Sequence, residues 1–491
     1  SGNFPNDLVP TLNAGTASSG GSSASEWSML SYLARVNYNY KQKYLLTATL
    51  RRDGSSRFGQ DTKWGYFPSI SAGWLLSSEE FMNAAGWINL LKLRASYGVA
   101  GNNQIPNYGP VSLLTTSNYV SGDQLASGLA VDNLANPELQ WEKTNQFNVG
   151  IDAGLWGNRV NITAEFYRSI TQHLLLNVPV PDITGFATQL SNIGKVRNTG
   201  AELSIQSKNL TGDFSWSTNL NLSFNRNKAL QLGPGNTPLI FTDYVVTVKT
   251  EVGQPISNFY GYEFNGIYND QAAIDASPHV EGTRPGEPIV RDVNGDGKID
   301  ADDRTTLGNA QPDFTGGLIN TFGYKGVELS FMLQGNFGGQ IVNQLTRYMG
   351  IWNGGRNAFA GAANYWRSAE APGDGVHFRP SINPTSMEQS FSNYWVEDGT
   401  YVRIKNIMLA YRLPERWLRK GPFKSLRLYV NAENVYLFSD YKNFDPENTT
   451  YRPNEPGQSG NEGIPSGAFV GVDYGSYPIP RTITFGVNAA F

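Results

Sequence analysis

Cysteine is absent from the 491 residues, which excludes disulfides, thiolate zinc sites, iron–sulfur clusters and cysteine nucleophiles. Histidine occurs three times, as His173, His279 and His377, never at metal-ligand spacing. Charge is scarce: 16% of residues are charged, against about 25% in an ordinary soluble protein. The formal net charge of −4 offers no basic footprint for nucleic acid. No apolar run approaches the roughly 18 residues a transmembrane helix needs. No nucleophile–base pairing is visible, so catalysis is not expected. The chain opens at Ser1 without Met or a signal peptide, and is expected to be a mature or cut product.

Glycine, at 53 residues, and aromatics, at 12%, are what the chain has in quantity. That is too aromatic for a disordered segment. The strongest pattern is alternation with a period of two. Phe214, Trp216, Leu220, Leu222 and Phe224 alternate with Ser215, Ser217, Asn219, Asn221 and Ser223. Leu426, Leu428 and Val430 alternate with Arg427, Tyr429 and Asn431, and Phe147, Val149 and Ile151 with Asn148, Gly150 and Asp152. Each strand thus has one apolar face and one rich in Ser, Asn, Thr and Gly.

Such strands suit a soluble sandwich or a membrane barrel, and three features favour the barrel. Several runs reach the roughly 9–11 residues with which a tilted strand crosses a bilayer. Short connections at Lys41–Lys43, Trp156–Arg159, Asn209–Asp213 and Tyr324–Gly326 alternate with long ones over roughly 100–140, 169–198, 336–399 and 435–480. Tyr and Trp recur at strand ends, where an aromatic girdle would lie. Lipid offers no hydrogen bonds, so the backbone must be paired within a closed sheet. A polar lumen then accounts for a mean hydropathy of −0.37. The last strand alternates Ile483, Phe485, Val487, Ala489 and Phe491 to an aromatic terminus, which resembles the strands that barrel-assembly machinery recognises, the other reading being an ordinary closing strand that ends in Phe by chance.

The expected fold is therefore all-β, a transmembrane antiparallel barrel. Its strands are expected at 32–40, 44–51, 66–74, 90–98, 141–155, 160–168, 199–208, 214–225, 239–249, 256–268, 314–323, 327–335, 400–412, 424–434 and 481–491. That makes about fifteen, with 1–31 an extracellular loop or cut region and 32–491 the barrel. If short turns are periplasmic, Ser1 starts outside the cell and Phe491 ends in the periplasm. Single-chain bacterial barrels have even strand counts, so an odd number of strands is expected upstream. The low-complexity segment 11–25 reads as the loop where the break falls.

Several blocks resemble the SusC/RagA class of TonB-linked outer-membrane transporters. They are RRDGSSRFG (Arg51–Gly59), YFPSISAGWLLSSEEFM (Tyr66–Met82), LKLRASYGVAGNNQI (Leu91–Ile105), GQPISNFYGYEFNGIY (Gly253–Tyr268), DVNGDGKIDADDRTTLGNAQPDFTGG (Asp292–Gly317) and the Phe491 ending. They lie in the family's order over nearly the whole chain. The resemblance implies a 22-stranded barrel in the Gram-negative outer membrane, with this chain as its C-terminal part. It implies an internal plug and first strands outside this chain, a SusD-like lipoprotein lid, and coupling to TonB through the same missing N-terminal part. The cargo it implies is an oligosaccharide, or a peptide in some members. Import would make outer-membrane lipid, the lid and a glycan or peptide ligand the partners. A β-rich surface adhesin is the alternative of another class.

DVNGDGKIDADD matches the calcium-loop pattern, with Asp292, Asn294 and Asp296 at its first, third and fifth positions, Gly297 at the sharp turn, and Lys298, Asp300 and Asp303 following. Lys298 would give its backbone carbonyl, and Asp303 stands where the pattern expects Glu. A structural Ca²⁺, stiffening the loop, is one reading, and a metal-free Asp/Asn/Gly turn is the other. RRDGSSRFG reads as a polar strand end, or as a substrate loop. Trp352, Tyr365, Trp366 and Trp395, in long loops, could stack on sugar rings or pack the loops.

Overall fold

The computed structural model describes residues 24–186, 188–243, 245–351, 355–381, 387–419, 421–447 and 468–491. Thirteen antiparallel strands form one continuous sheet. They are β1 (Met29–Tyr40), β2 (Tyr44–Ser55), β3 (Trp64–Leu75), β4 (Ile88–Asn102), β5 (Glu142–Leu155), β6 (Val160–Pro179) and β7 (Thr188–Leu210). The series continues with β8 (Phe214–Gln231), β9 (Phe314–Tyr324), β10 (Val327–Phe337), β11 (Tyr401–Arg412), β12 (Ser425–Ser439) and β13 (Thr482–Ala490). Each pairs with its sequence neighbours, from Tyr40 opposite Tyr44 to Ser425 opposite Ala490. Among the described residues β1 and β13 are edges of an open wall.

Register puts every apolar row on one side. Tyr44, Leu46, Ala48 and Leu50 stand opposite Trp74, Ala72, Ile70 and Pro68. These side chains do not meet across a dry interior: Leu46, Leu50, Ile70, Val430 and Phe485 are exposed. An apolar face left bare in this way is one that a bilayer would cover. The opposite face is a polar ladder, with side-chain hydrogen bonds such as Thr47 to Asn37 (3.0 Å), Thr144 with Thr171 (2.8 Å) and Thr321 with Ser330 (3.2 Å).

Aromatics border the apolar face at both ends. Tyr40, Tyr44 and Trp74 stack in sequence at 6.3 and 6.2 Å beside the short turns. At the far end Tyr32 stacks on Trp64 at 6.1 Å, and the Arg52 guanidinium lies over Trp64 at 4.2 Å. From Tyr40 to Tyr32 is roughly 26 Å of strand at about 3.3 Å per residue, the scale of an apolar band about 25 Å tall.

Three expectations are corrected. Residues 239–249 and 256–268 are not wall strands. They supply Leu239–Asp243, Val246–Thr250 and Asn258–Gly261 to a separate four-stranded sheet completed by Thr305–Gly308. The wall thus has thirteen strands here rather than fifteen. Residues 169–198 are largely no loop but the long hairpin of β6 and β7, which continues past the wall with shifts at Leu174. Met29–Ser31 belong to β1 rather than to an outer loop, and residues 1–23 of that segment lie outside the described residues. The short turns hold as expected, and between β11 and β12 one helical turn forms at Glu415–Leu418.

Candidate functional site: inner wall and outer cap

Antiparallel order places the tight turns at Lys41–Lys43, Trp156–Arg159 and Lys325–Gly326 at one end of the wall and the longest connections at the other. The described parts of three long connections, within 232–313, 338–400 and 440–481, fold together there into a cap with its own core. Val246, Val248 and Phe259 come from the first, Val342, Phe391 and Trp395 from the second, Phe469 and Val472 from the third. Side-chain hydrogen bonds tie the pieces together. Tyr474 Oη donates to Asp243 at 2.8 Å, and Tyr441 Oη donates to the buried Asp473 at 2.8 Å. Asp473 also accepts from the backbone N–H groups of Gly475 and Ser476, both at 2.9 Å.

The cap is latched to the wall by a buried ion cluster. Arg403 Nη2 of β11 donates to Asp445 Oδ1 at 2.6 Å, and its Nε lies 3.3 Å from Glu447 Oε2. Gln334 of β10 donates to Glu447 Oε1 at 3.1 Å and to Tyr401 Oη at 3.3 Å. Below it, a concavity of about 410 Å³ opens on the polar face, lined by Thr163, Glu165, Glu202, Ser204, Asn221 and Gln334 among others.

The polar face carries charges of both signs. Glu165 and Glu202 stand directly opposite on β6 and β7, a pairing that costs stability when unbalanced. Arg94 of β4 offsets it, 2.9 Å from Glu165 and 3.4 Å from Asp152. To reach Glu165 it must cross β5, and there the residue opposite both is Gly150. A Cβ at Gly150 would lie 2.8 Å from the guanidinium carbon, so a larger residue there would push Arg94 off this path. Arg427 likewise reaches Glu328 at 2.8 Å across β11.

The residues expected at the site fare unequally. Trp395 is fully buried in the cap core, so it presents no ring face to a ligand, and the sugar-stacking expectation for it is corrected. Apart from Phe391, the buried residues of that core come from three connections and lie more than 50 residues from Trp395 in the chain, which its local sequence does not reveal. Trp366 is half-buried, packs over Gly286 and donates Nε1–H to Asn269 at 3.3 Å. Tyr365, also half-buried, lies under Arg367 at 4.5 Å. Trp352 lies outside the described residues. The calcium-pattern segment sits on the cap side. Asp292 accepts from the N–H groups of Gly295 (2.6 Å) and Gly297 (2.9 Å), and Asp296 accepts from Lys298 N–H at 2.9 Å. Asp300 caps a short turn by accepting from Asp302 N–H at 2.8 Å. The buried Asp303 accepts from Val293 N–H and Asp300 N–H, both at 2.8 Å, and so joins the two ends of the loop. Asn294 accepts from Asp296 N–H at 3.0 Å. Among the described residues no three His, Asp or Glu side chains are gathered for a metal.

A family profile described as "TonB dependent receptor-like, beta-barrel" matches residues 1–435. The chain belongs to the TonB-dependent receptor β-barrel family. The receptor is 36% identical over 475 residues to TonB-dependent receptor P3 of Formosa agariphila, covering 95% of this chain and 46% of that one. It is 30% identical over 482 residues to TonB-dependent receptor SusC of Bacteroides thetaiotaomicron, covering 94% and 44% respectively. Among solved structures, the RagAB peptide importer in its closed-closed state superposes with a TM-score of 0.79 at 26% identity, over 99% of this chain and 51% of that one. The receptor spans about half the length of the curated relatives it matches. Its sheet is thus part of an outer-membrane barrel, with the apolar face toward lipid, the polar face toward the lumen and the cap outside. The family is one of transporters, not enzymes.

Orientation makes the β3–β4 turn periplasmic. There Glu79 accepts from Trp74 Nε1 (3.0 Å), Lys43 Nζ (2.9 Å) and Tyr44 Oη (2.8 Å). The Trp74 indole, then Lys43 and Tyr44, hold its pKa down from 4.5 to about 2. A carboxyl lowered on folding stabilises above its unfolded value and loses that contribution as pH falls through its folded one. Hydrogen-exchange protection in residues 76–82 of the receptor, taken relative to the intrinsic rate at each pH, should therefore fall between pH 4.5 and about 2, and this acid-dependent step should vanish in Glu79→Gln.

Proposed function

We propose that the complete protein is an active importer of a large nutrient, an oligosaccharide first, through the outer membrane. TonB and the proton gradient supply the work, and a SusD-like surface lipoprotein closes the cap side. The observation that carries this reading is the polar inner wall beneath a folded outer cap, in a family of outer-membrane transporters. Polar groups on that wall can exchange hydrogen bonds with hydroxyls as a sugar chain passes, while the apolar face remains in lipid. The plug and the rest of the barrel come from outside this segment. Thirteen wall strands leave nine to a 22-stranded closure.

A peptide cargo is the second reading, favoured by the likeness to the RagAB peptide importer. A deletion strain grown on single glycans and peptides as sole carbon source separates the two. Loss of growth on one glycan class alone is the expected result. Loss on peptides alone moves the cargo to the second reading, and undiminished growth on all of them sinks import.

We also propose that Asp292, Asn294, Asp296, the Lys298 carbonyl, Asp300 and Asp303 hold a Ca²⁺ that stiffens the cap. Oxygens that accept one backbone N–H keep a further lone pair for a hard cation. Binding requires the exposed Asp296 and Asp300 side chains to turn inward. A chelator should then lower the thermal midpoint of the receptor, and the double variant Asp292→Ala, Asp296→Ala should lose one bound calcium. Unchanged metal content in that variant discards the site.

A further inference from the structure

Beside the outer ends of β1 to β4 lies a hollow of about 290 Å³, lined by Glu26, Trp27, Ser28, Ser56, Arg57, Asn107 and Tyr108. Three segments far apart in sequence meet there: the residues leading into β1, the β2–β3 connection and the β4–β5 connection. Polar contacts pin them. Ser28 N–H donates to Ser56 Oγ at 2.8 Å, and Ser56 N–H donates back to the Ser28 carbonyl at 3.0 Å. Glu26 N–H donates to Tyr108 Oη at 3.1 Å, and Asn107 Nδ2 donates to Ser25 Oγ at 3.1 Å.

The chemistry of the lining is unusual for a surface hollow. Trp27 is 50% exposed and Tyr108 40% exposed. Tyr108 is held at φ +67°, a left-handed conformation that costs a non-glycine residue of order 1–3 kcal/mol. The surrounding contacts sustain that strain, and it keeps the phenol at the rim. The Arg57 guanidinium lies over the Trp27 ring at 4.5 Å. Its Nε donates to Asn107 Oδ1 at 2.9 Å and its Nη1 donates to the Asn103 carbonyl at 3.1 Å. Those bonds fix the guanidinium, and its Nη2 has no partner among the described residues. The Glu26 carboxylate is exposed. The hollow therefore offers the indole face that Arg57 leaves open, the Tyr108 ring, a fixed donor, an exposed carboxylate acceptor and one charge of each sign.

We propose that this hollow is a saccharide-binding subsite for a neutral sugar ring, which captures the cargo outside the barrel. A pyranose has an apolar C–H face that suits an indole or phenol. Its vicinal hydroxyls match a carboxylate acceptor on one side and guanidinium and amide donors on the other. An anionic glycan would meet Glu26, and an apolar peptide side chain would find no buried well. The subsite rests on the oligosaccharide reading, and it is separate from the wall concavity and from the calcium segment.

The test uses the full-length transporter in detergent, titrated calorimetrically with neutral gluco-, galacto- and manno-oligosaccharides and with tetra-alanine as control. One neutral series should bind and tetra-alanine should not. Trp27→Ala should weaken binding at least tenfold, Trp27→Phe less than threefold, and Glu26→Gln about fivefold, all with an unchanged thermal midpoint. If Trp27→Ala unfolds the region, Glu26→Gln, which keeps shape and packing, decides. Wild-type affinity in both Trp27→Ala and Glu26→Gln overturns the subsite, as does binding of tetra-alanine in its place or of no neutral saccharide at all. Growth on a glycan that needs the transporter yet ignores both variants removes the subsite and leaves import standing. Growth of the deletion strain on every glycan removes the import reading itself.

Discussion

An Arg403→Ala receptor is expected to release its 440–447 segment from the barrel mouth. The substitution leaves Asp445 buried without its cation, and breaking a buried pair in this way costs about 3–5 kcal/mol. The cost falls on the latch rather than on the wall, because the β10–β11 and β11–β12 ladders do not depend on it. Cleavage of the third outer connection by an added protease should accelerate by two orders of magnitude or more, about 1.4 kcal/mol per factor of ten. Heat-resistant migration of the barrel should be retained. The triple variant Arg403→Met, Asp445→Asn, Glu447→Gln removes these three charges together and leaves the partly exposed Lys405, which lies 3.6 Å from Glu447 in the native cluster, to solvent. It should recover most of the protection, since a neutral replacement carries no stranded ion. Equal cleavage of Arg403→Ala and wild type would show that the cluster holds nothing in place.

The second large effect separates a lipid-facing wall from a soluble one. Ile70 is 51% exposed and stands midway between Tyr66 and Trp74 on the apolar face. In a bilayer that is close to the midplane. Ile70→Arg should cost about 2–4 kcal/mol in refolding into lipid vesicles. The neighbouring Ser71→Arg points into the wet lumen and should cost little. A soluble adhesin would show the reverse order of concern: an exposed Ile70 would tolerate arginine. Equal behaviour of the two variants in vesicles would contradict the assignment of the faces.

The Ile70 prediction turns on a face assignment that local sequence carries well. Alternation such as Leu428, Tyr429, Val430 sends side chains to opposite faces by backbone geometry alone, whatever the rest of the chain does. The structure follows it from Tyr44 to Val487. The segments 239–249 and 256–268 show where that reasoning stops. They are extended, but Val246, Val248 and Phe259 face a cap core made with Val342, Trp395 and Phe469. Nothing in their own spacing says that the apolar face meets protein rather than lipid.

The same holds for individual side chains. Trp395 and Trp27 are both aromatic residues outside the wall. One is enclosed by three connections, and the other is half-exposed beside Arg57 and Tyr108. Likewise Gly150 reads as a weak strand residue until the register shows Arg94 crossing over it to Glu165.

By itself, then, the sequence determined an all-β membrane wall, the face each wall residue takes and the side on which the short turns lie. These follow from a two-residue repeat and from lipid's inability to hydrogen-bond to the backbone. Only the tertiary structure decided the number of wall strands, the enclosure of Trp395, the Arg403 latch and the hollow at Trp27. Each of these depends on side chains brought together from distant connections, and no short-range pattern records which of them will meet.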